Sequence, residues 1–122
     1  MKLHASGPAS YNTITGYGED WVQVNNQRYQ SSLIVMAETI LPWSAQAFSA
    51  LSENDFESVQ ALAPEIVLLG TGPRQRFPHP RLTAALAKAG IGVEVMDLKA
   101  ACRTYNILAA EERKVAAALL LR

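Results

Sequence analysis

The sequence predicts an α/β fold on three observations. Its pattern changes period once, near Ser44, from strand-like segments to alternating helices and strands. The run Ile66-Val67-Leu68-Leu69 is apolar throughout, as in a strand covered on both faces. Helix caps and helix breakers then recur between apolar runs to the end of the chain. The length of 122 residues is enough for one core without disulfide or metal staples. No repeat, low-complexity tract or linker divides it, so residues 1–122 are expected to form a single domain.

The elements follow in order. Ile14, Tyr17, Trp21-Val22-Gln23-Val24 and Tyr29 are aromatic or β-branched and are punctuated by Gly16, Gly18 and Asn25-Asn26, which reads as a strand meander. Asn25-Asn26 suits a tight hairpin turn because Asn tolerates positive φ. Leu33-Ile34-Val35 is a buried strand, and Thr39-Ile40-Leu41 a further one ended by Pro42. Ser52 and Asp55 resemble a capping box with Asp in place of Glu, opening a helix that Pro64 ends. After the strand at 66–69 and a loop from Gly70 to Phe77, Pro80 begins a helix with Leu82, Ala85, Leu86 and Ala89 inward and Gly90 as its C-cap. Gly92 to Met96 is the next strand, and Asp97 caps a helix running to about Ala110. Val115 to Leu121 follows the charged break Glu111 to Lys114. Its propensity allows a helix extension, but a short wholly apolar run favours a central strand.

Composition excludes several classes. Eleven basic residues balance eleven acidic ones, which supplies no net electrostatic footprint for nucleic acid or for an anionic membrane. The longest apolar run falls far short of the ~20 residues of a membrane helix, so no membrane insertion is expected. The single cysteine, Cys102, has no internal disulfide partner, and residues 1–8 lack the apolar core of a signal peptide. A cytoplasmic protein is expected. His4 and His79 lie far apart and neither has a Cys, Asp or Glu at metal-ligand spacing, so neither a metal nor a cofactor is implied.

The segments Val93-Glu94-Val95-Met96-Asp97, Ala101-Cys102-Arg103-Thr104-Tyr105-Asn106-Ile107-Leu108 and Glu112-Arg113-Lys114-Val115-Ala116-Ala117-Ala118-Leu119 carry a further signal. They resemble the C-terminal signature of a domain-of-unknown-function family whose mitochondrial members include an NADH dehydrogenase (complex I) assembly factor. Tyr29 with Ser31 to Val35, Trp43 after a proline, and Leu68-Leu69-Gly70-Thr71-Gly72 also look like that family. The resemblance implies a three-layer α/β fold with a mixed central sheet, helices packed on it and an additional N-terminal β layer. It supplies no catalytic residue, and a bacterial-type member is the simpler inference.

Two segments are candidates for a ligand or partner surface. On a helix turning about 100° per residue, Leu98, Ala101, Cys102, Tyr105, Leu108 and Ala109 share the core face, Lys99, Arg103 and Asn106 fall on one flank, and Thr104 on the other. That flank either meets a ligand or partner, or is a solvated edge on which Asn106 ties down a neighbouring loop. The second segment, Gly70-Thr71-Gly72-Pro73-Arg74-Gln75-Arg76, follows the strongest strand, where ligands collect in open α/β sheets. Its glycines would admit an anion to the backbone while Arg74 and Arg76 supply charge. Gln75 stands where a dinucleotide fingerprint needs Gly, and no Gly-Lys-Ser/Thr follows for a P-loop. Cys102 lies on the core face and is expected to be inert, and Trp43 is either an interface anchor or a core cover.

No catalytic constellation emerges. The sequence favours a non-catalytic protein-interaction or assembly module whose partner is another protein. The alternative is a binder of a small anionic metabolite, or an enzyme, in a cleft between the Gly70 to Arg76 loop and the Arg103/Asn106 flank. A homo-oligomer formed through an exposed sheet edge stays open.

Overall fold

A computed structural model describes residues 11–122; His4 and the N-terminal stretch read above against a signal peptide lie outside the described residues. The strands β1 (Ile14–Tyr17), β2 (Val22–Val24) and β3 (Gln27–Tyr29) form an antiparallel sheet in the order β1-β2-β3. Asn25, at φ 58°, makes the turn that sets Val24 opposite Gln27. The second sheet holds β4 (Leu33–Met36), β5 (Thr39–Pro42), β6 (Ile66–Thr71), β7 (Gly92–Met96) and β8 (Val115–Leu120) in the order β5-β4-β8-β6-β7. β4 runs antiparallel to β5 and β8, whereas β6 is parallel to both β7 and β8, so the sheet is mixed.

β8 is the central strand and all six of its residues are buried, which settles the terminal run as a strand. The helix before it stops at a turn in which Glu112, at φ 62°, donates from its N–H to Ala109 O while Arg113 donates to Leu108 O, both at 3.0 Å. These paired bonds satisfy the last helical carbonyls, with Glu where Gly is usual.

Side-chain alternation divides the core in two. Leu33, Val35, Leu68, Ala117 and Leu119 face one side, and Ile34, Val67, Leu69, Ala118 and Leu120 the other. The first side is covered by α3 (Leu98–Ala110) together with Ile14, Val22 and Val24 of the small sheet. The β layer therefore lies beside α3 on the same face. The second side is covered by α1 (Glu53–Ala61), α2 (Ala84–Lys88) and the segment between β5 and α1. Trp43 is buried there, its ring edge-on to Phe56 at 5.6 Å and its Nε1 donating to Asp55 O at 2.7 Å. It is a core cover. Asp55 accepts from the backbone N–H and hydroxyl of Ser52 and from Ser44 Oγ at 2.6 Å, so the shorter acid ties the helix start to the segment before it.

The helix expected from Pro80 is split. Pro80–Thr83 forms a 3-10 turn and only 84–88 is α-helical. Leu82 and Leu86 are buried as expected, but Ala85 and Ala89 are exposed. A turn of about three residues per revolution shifts the phase of everything after it, so a stripe projected at 3.6 misplaces those alanines.

Both free edges of the large sheet are blunted. Pro42 lacks an N–H and ends β5 exposed, while β7 carries exposed Glu94 and gives its Val95 carbonyl to Gln75 Nε2 at 2.9 Å. Such edges resist pairing with a second chain.

Gly70 of β6 sits directly beneath α3. A Cβ there would stand 3.1 Å from both the Ala101 Cβ and Leu119 Cδ2. Gly70→Val is therefore expected to destabilise the fold by about 1–3 kcal/mol through overpacking, read as a lower urea midpoint in equilibrium unfolding.

Candidate functional site

α3 begins at Asp97, whose Oδ1 accepts from Ala100 N–H at 2.8 Å. Its core face carries Leu98, Ala101, Cys102, Tyr105 and Ala109 buried as expected, with Leu108 half-buried against them. The polar residues among them are mostly engaged within the chain. Asn106 Oδ1 accepts the Ile14 N–H at 2.9 Å and its Nδ2 donates to the Ile14 carbonyl at 2.8 Å. The side-chain amide thus stands in for a neighbouring strand and pins β1 to α3. One residue earlier, the buried Tyr105 donates its hydroxyl to Asn12 O at 2.8 Å. Asn12 in turn bonds Ala37 O through its N–H and Met36 O through its side chain, both at 2.9 Å, and its Oδ1 accepts from Asn25 Nδ2 at 3.0 Å. α3, the small sheet and the β4–β5 turn are joined through this one network.

Of the predicted flank, Lys99 and Arg103 remain at the surface, with Arg103 Nη1 donating to the Tyr17 hydroxyl at 3.3 Å. Thr104 is half-buried. Asn106 is removed from that surface by its bonds to Ile14. Ile107 joins it instead: this residue is 58% exposed, one turn from Arg103 and two from Lys99. An isoleucine lying off the apolar stripe was the sequence signal for it.

The Gly70 to Arg76 loop is likewise held from within. Gly70, Thr71 and Gly72 are buried. Thr71 Oγ1 lies 2.7 Å from Arg74 O, to which it donates, and accepts the Arg76 N–H at 3.1 Å. Gly72 has φ 87° and donates no space to a ligand, since a Cβ would meet Arg122 Cα and Arg76 Nη2 at 3.3 Å. Its carbonyl accepts from Leu98 N–H at 2.8 Å, at the start of α3. Arg76 donates through Nη2 to Thr71 O at 2.7 Å and lies 4.5 Å over the Phe48 ring. Phe48 packs with the α1/α2 side of the core, whereas Arg103 and Asn106 sit on α3 across the sheet. The two segments meet where Gly70 lies under Leu98 and Ala101 and where the Gly72 carbonyl accepts from Leu98 N–H. Arg74 is exposed, and Arg76 Nε and Ser32 Oγ are buried without a protein hydrogen-bond partner.

Chemistry at these positions is muted. Burial pushes the Cys102 thiol up to about 12, opposed by the Arg103 charge and reinforced by Asp97. Burial, with Tyr11 nearby, raises Tyr105 as well. Neither supplies an anionic nucleophile near neutral pH. His79 Nδ1 accepts the Arg81 N–H at 3.1 Å and caps the 3-10 turn. Among the described residues no three His, Cys, Asp or Glu side chains gather to hold a metal, and no helix is long and apolar enough to cross a membrane.

Fold and site together define a small three-layer α/β domain whose buried polar side chains mainly bond its own backbone. The family model described as "Protein of unknown function (DUF498/DUF598)" matches residues 14–120, and the chain belongs to that family. It is 32% identical over 109 residues to the NADH dehydrogenase (ubiquinone) 1 alpha subcomplex assembly factor 3 of Bos taurus, covering 88% of this chain and 59% of that protein. The chain thus spans about three fifths of that relative's length. It is 31% identical over 99 residues to a 13 kDa major membrane protein of Francisella tularensis, covering 80% of each. A crystal structure of a Bordetella parapertussis protein superposes with a TM-score of 0.86 at 38% identity, covering 93% of this chain and 98% of that one.

Asn106→Ala leaves the Ile14 N–H and carbonyl without partners. A loss of about 2–3 kcal/mol is expected, with faster hydrogen exchange at the Ile14 amide than in an Arg103→Ala control. Cys102 and Tyr105 keep their protons in the folded chain, while the unfolded chain releases them near the ordinary values of 9.0 and 10.0. The unfolded state then binds fewer protons, so stability falls as pH rises above about 9, by up to about 1.4 kcal/mol per pH unit per group. Urea midpoints measured from pH 8 to about 11 are expected to decline, and Cys102→Ala to flatten the first part of that decline.

Proposed function

We propose that this chain is a non-catalytic protein-interaction module of the assembly-factor type, acting in the cytoplasm. The observation that carries this reading is its likeness to the complex I assembly factor over most of its own length. The exposed ridge of α3 formed by Lys99, Arg103 and Ile107 is its partner surface. These side chains lie at i, i+4 and i+8, and the exposed Ile107 beside Arg103 supports reading the ridge as a contact surface.

The alternative of an anion bound between the Arg76 loop and the Arg103/Asn106 flank finds less support. Arg76 stacks on the α1/α2 side, and Asn106 has both of its polar atoms engaged by Ile14. The unpartnered Arg76 Nε is the one observation in its favour.

The test is affinity capture from native lysate with the tagged chain and an Arg103→Glu/Ile107→Glu variant, which alters only exposed positions. A stoichiometric protein partner retained by the wild type and lost by the folded variant is the expected outcome. Capture of nothing above control, together with a metabolite that raises the melting temperature, would favour the alternative.

A further inference from the structure

Neutral total charge conceals a segregated distribution. Residues 66–93 contain four of the chain's eleven basic residues and none of its eleven acidic ones. Three of those four, Arg74, Arg76 and Arg81, fall between Pro73 and Arg81, at the carboxyl end of β6. The same stretch carries Phe77, which is 72% exposed.

An exposed phenylalanine in a slack loop would fold back onto the surface, but this loop is fixed. Pro73, Pro78 and Pro80 restrict its backbone. The Thr71 hydroxyl holds it at Arg74 and Arg76, Gln75 Nε2 anchors it to Val95 O, and His79 caps the turn that follows. Arg76 is tied to Thr71 O, while Arg74 is free at the surface and Arg81 reaches only an exposed Glu53 at 3.8 Å. The result is a held, exposed aromatic ring with Arg74 and Arg81 on either side of it in the sequence.

We propose that the 73–81 loop docks peripherally on an anionic phospholipid bilayer, with Phe77 at headgroup level and Arg74 and Arg81 against the phosphates. The basic segment complements the negative surface, and a soft headgroup layer receives a protruding ring without the matching pocket that a protein partner needs. This docking is independent of the α3 ridge and does not require a spanning segment.

The test is co-sedimentation of the full chain with phosphatidylcholine vesicles, with and without about one third phosphatidylglycerol. The wild type is expected to sediment with the anionic vesicles at low salt, to be released at high salt and to ignore the neutral ones. Phe77→Ser and Arg74→Gln/Arg81→Gln, all at exposed positions, are each expected to lower partitioning by about fivefold or more. Arg103→Glu/Ile107→Glu should leave it unchanged, which separates this docking from the interaction reading. Sedimentation with neither vesicle, or equal sedimentation of the loop variants, overturns the proposal. If the chain ignores vesicles while Phe77→Ser loses a captured acidic protein, the loop docks protein and the bilayer assignment falls.

Discussion

The bidentate hydrogen bond between the Asn106 amide and the Ile14 backbone is the constraint on which the arrangement of layers depends. A three-stranded antiparallel sheet with strands of four, three and three residues is marginal by itself. Its apolar side chains Ile14, Val22 and Val24 need a surface, and the face of the large sheet beside α3 supplies one. Burial of one face forbids a one-residue slip but not a two-residue one, which keeps the same face inward. Asn106 fixes the register, since only one residue of β1 can present its N–H and carbonyl to a given side-chain amide. Tyr105 adds a second point two residues earlier on the chain, at Asn12. An asparagine in a helix interior lowers helix propensity, and here two buried-edge hydrogen bonds offset that cost.

The same reasoning explains the glycines after β6. A Gly-x-Gly sequence at the end of a parallel strand is chemically compatible with an anion cradle, and equally with close packing and a left-handed turn. Gly70 admits α3 to within contact of the sheet, and Gly72 takes a positive φ against Arg122. Thr71 between them is wholly buried and organises the loop through its hydroxyl. The arrangement makes the loop rigid instead of making it receptive.

Much of the fold was legible because it follows from periods and caps. The uniform hydrophobicity of Ile66 to Leu69, the Asp97 cap and the Asn25-Asn26 turn each reflect a local rule that nothing in the tertiary structure overrides. The site was less legible for a physical reason. A helical projection gives the angle of each residue about the axis and nothing about what lies beyond it. Lys99, Arg103 and Asn106 share an angle, yet the small sheet runs beside α3 only far enough to engage Asn106 fully and Arg103 at its edge. Likewise, net charge is a sum over the chain and is blind to segregation along it. The alanines at 85 and 89 were misplaced because the helix begins as a 3-10 turn, a choice that its sequence of Pro-Arg-Leu-Thr does not dictate.

Most of the interior polar side chains among the described residues are engaged within the chain. Cys102 and Tyr105 are held protonated by burial, His79 is a cap, and the loop hydroxyl at Thr71 bonds its own backbone. Among the described residues, the two large apolar side chains left exposed, Phe77 and Ile107, both stand beside arginines. Exposed aromatic and aliphatic groups next to arginine combine desolvation with orientation, which is how interface anchors obtain both affinity and register. Ile107 rises from a helix locked to two sheets, and Phe77 from a loop locked by Thr71 and three prolines. Rigidity at both points lowers the entropy lost on association. The internal hydrogen bonding that engages these polar groups thus also fixes the two points from which Ile107 and Phe77 project.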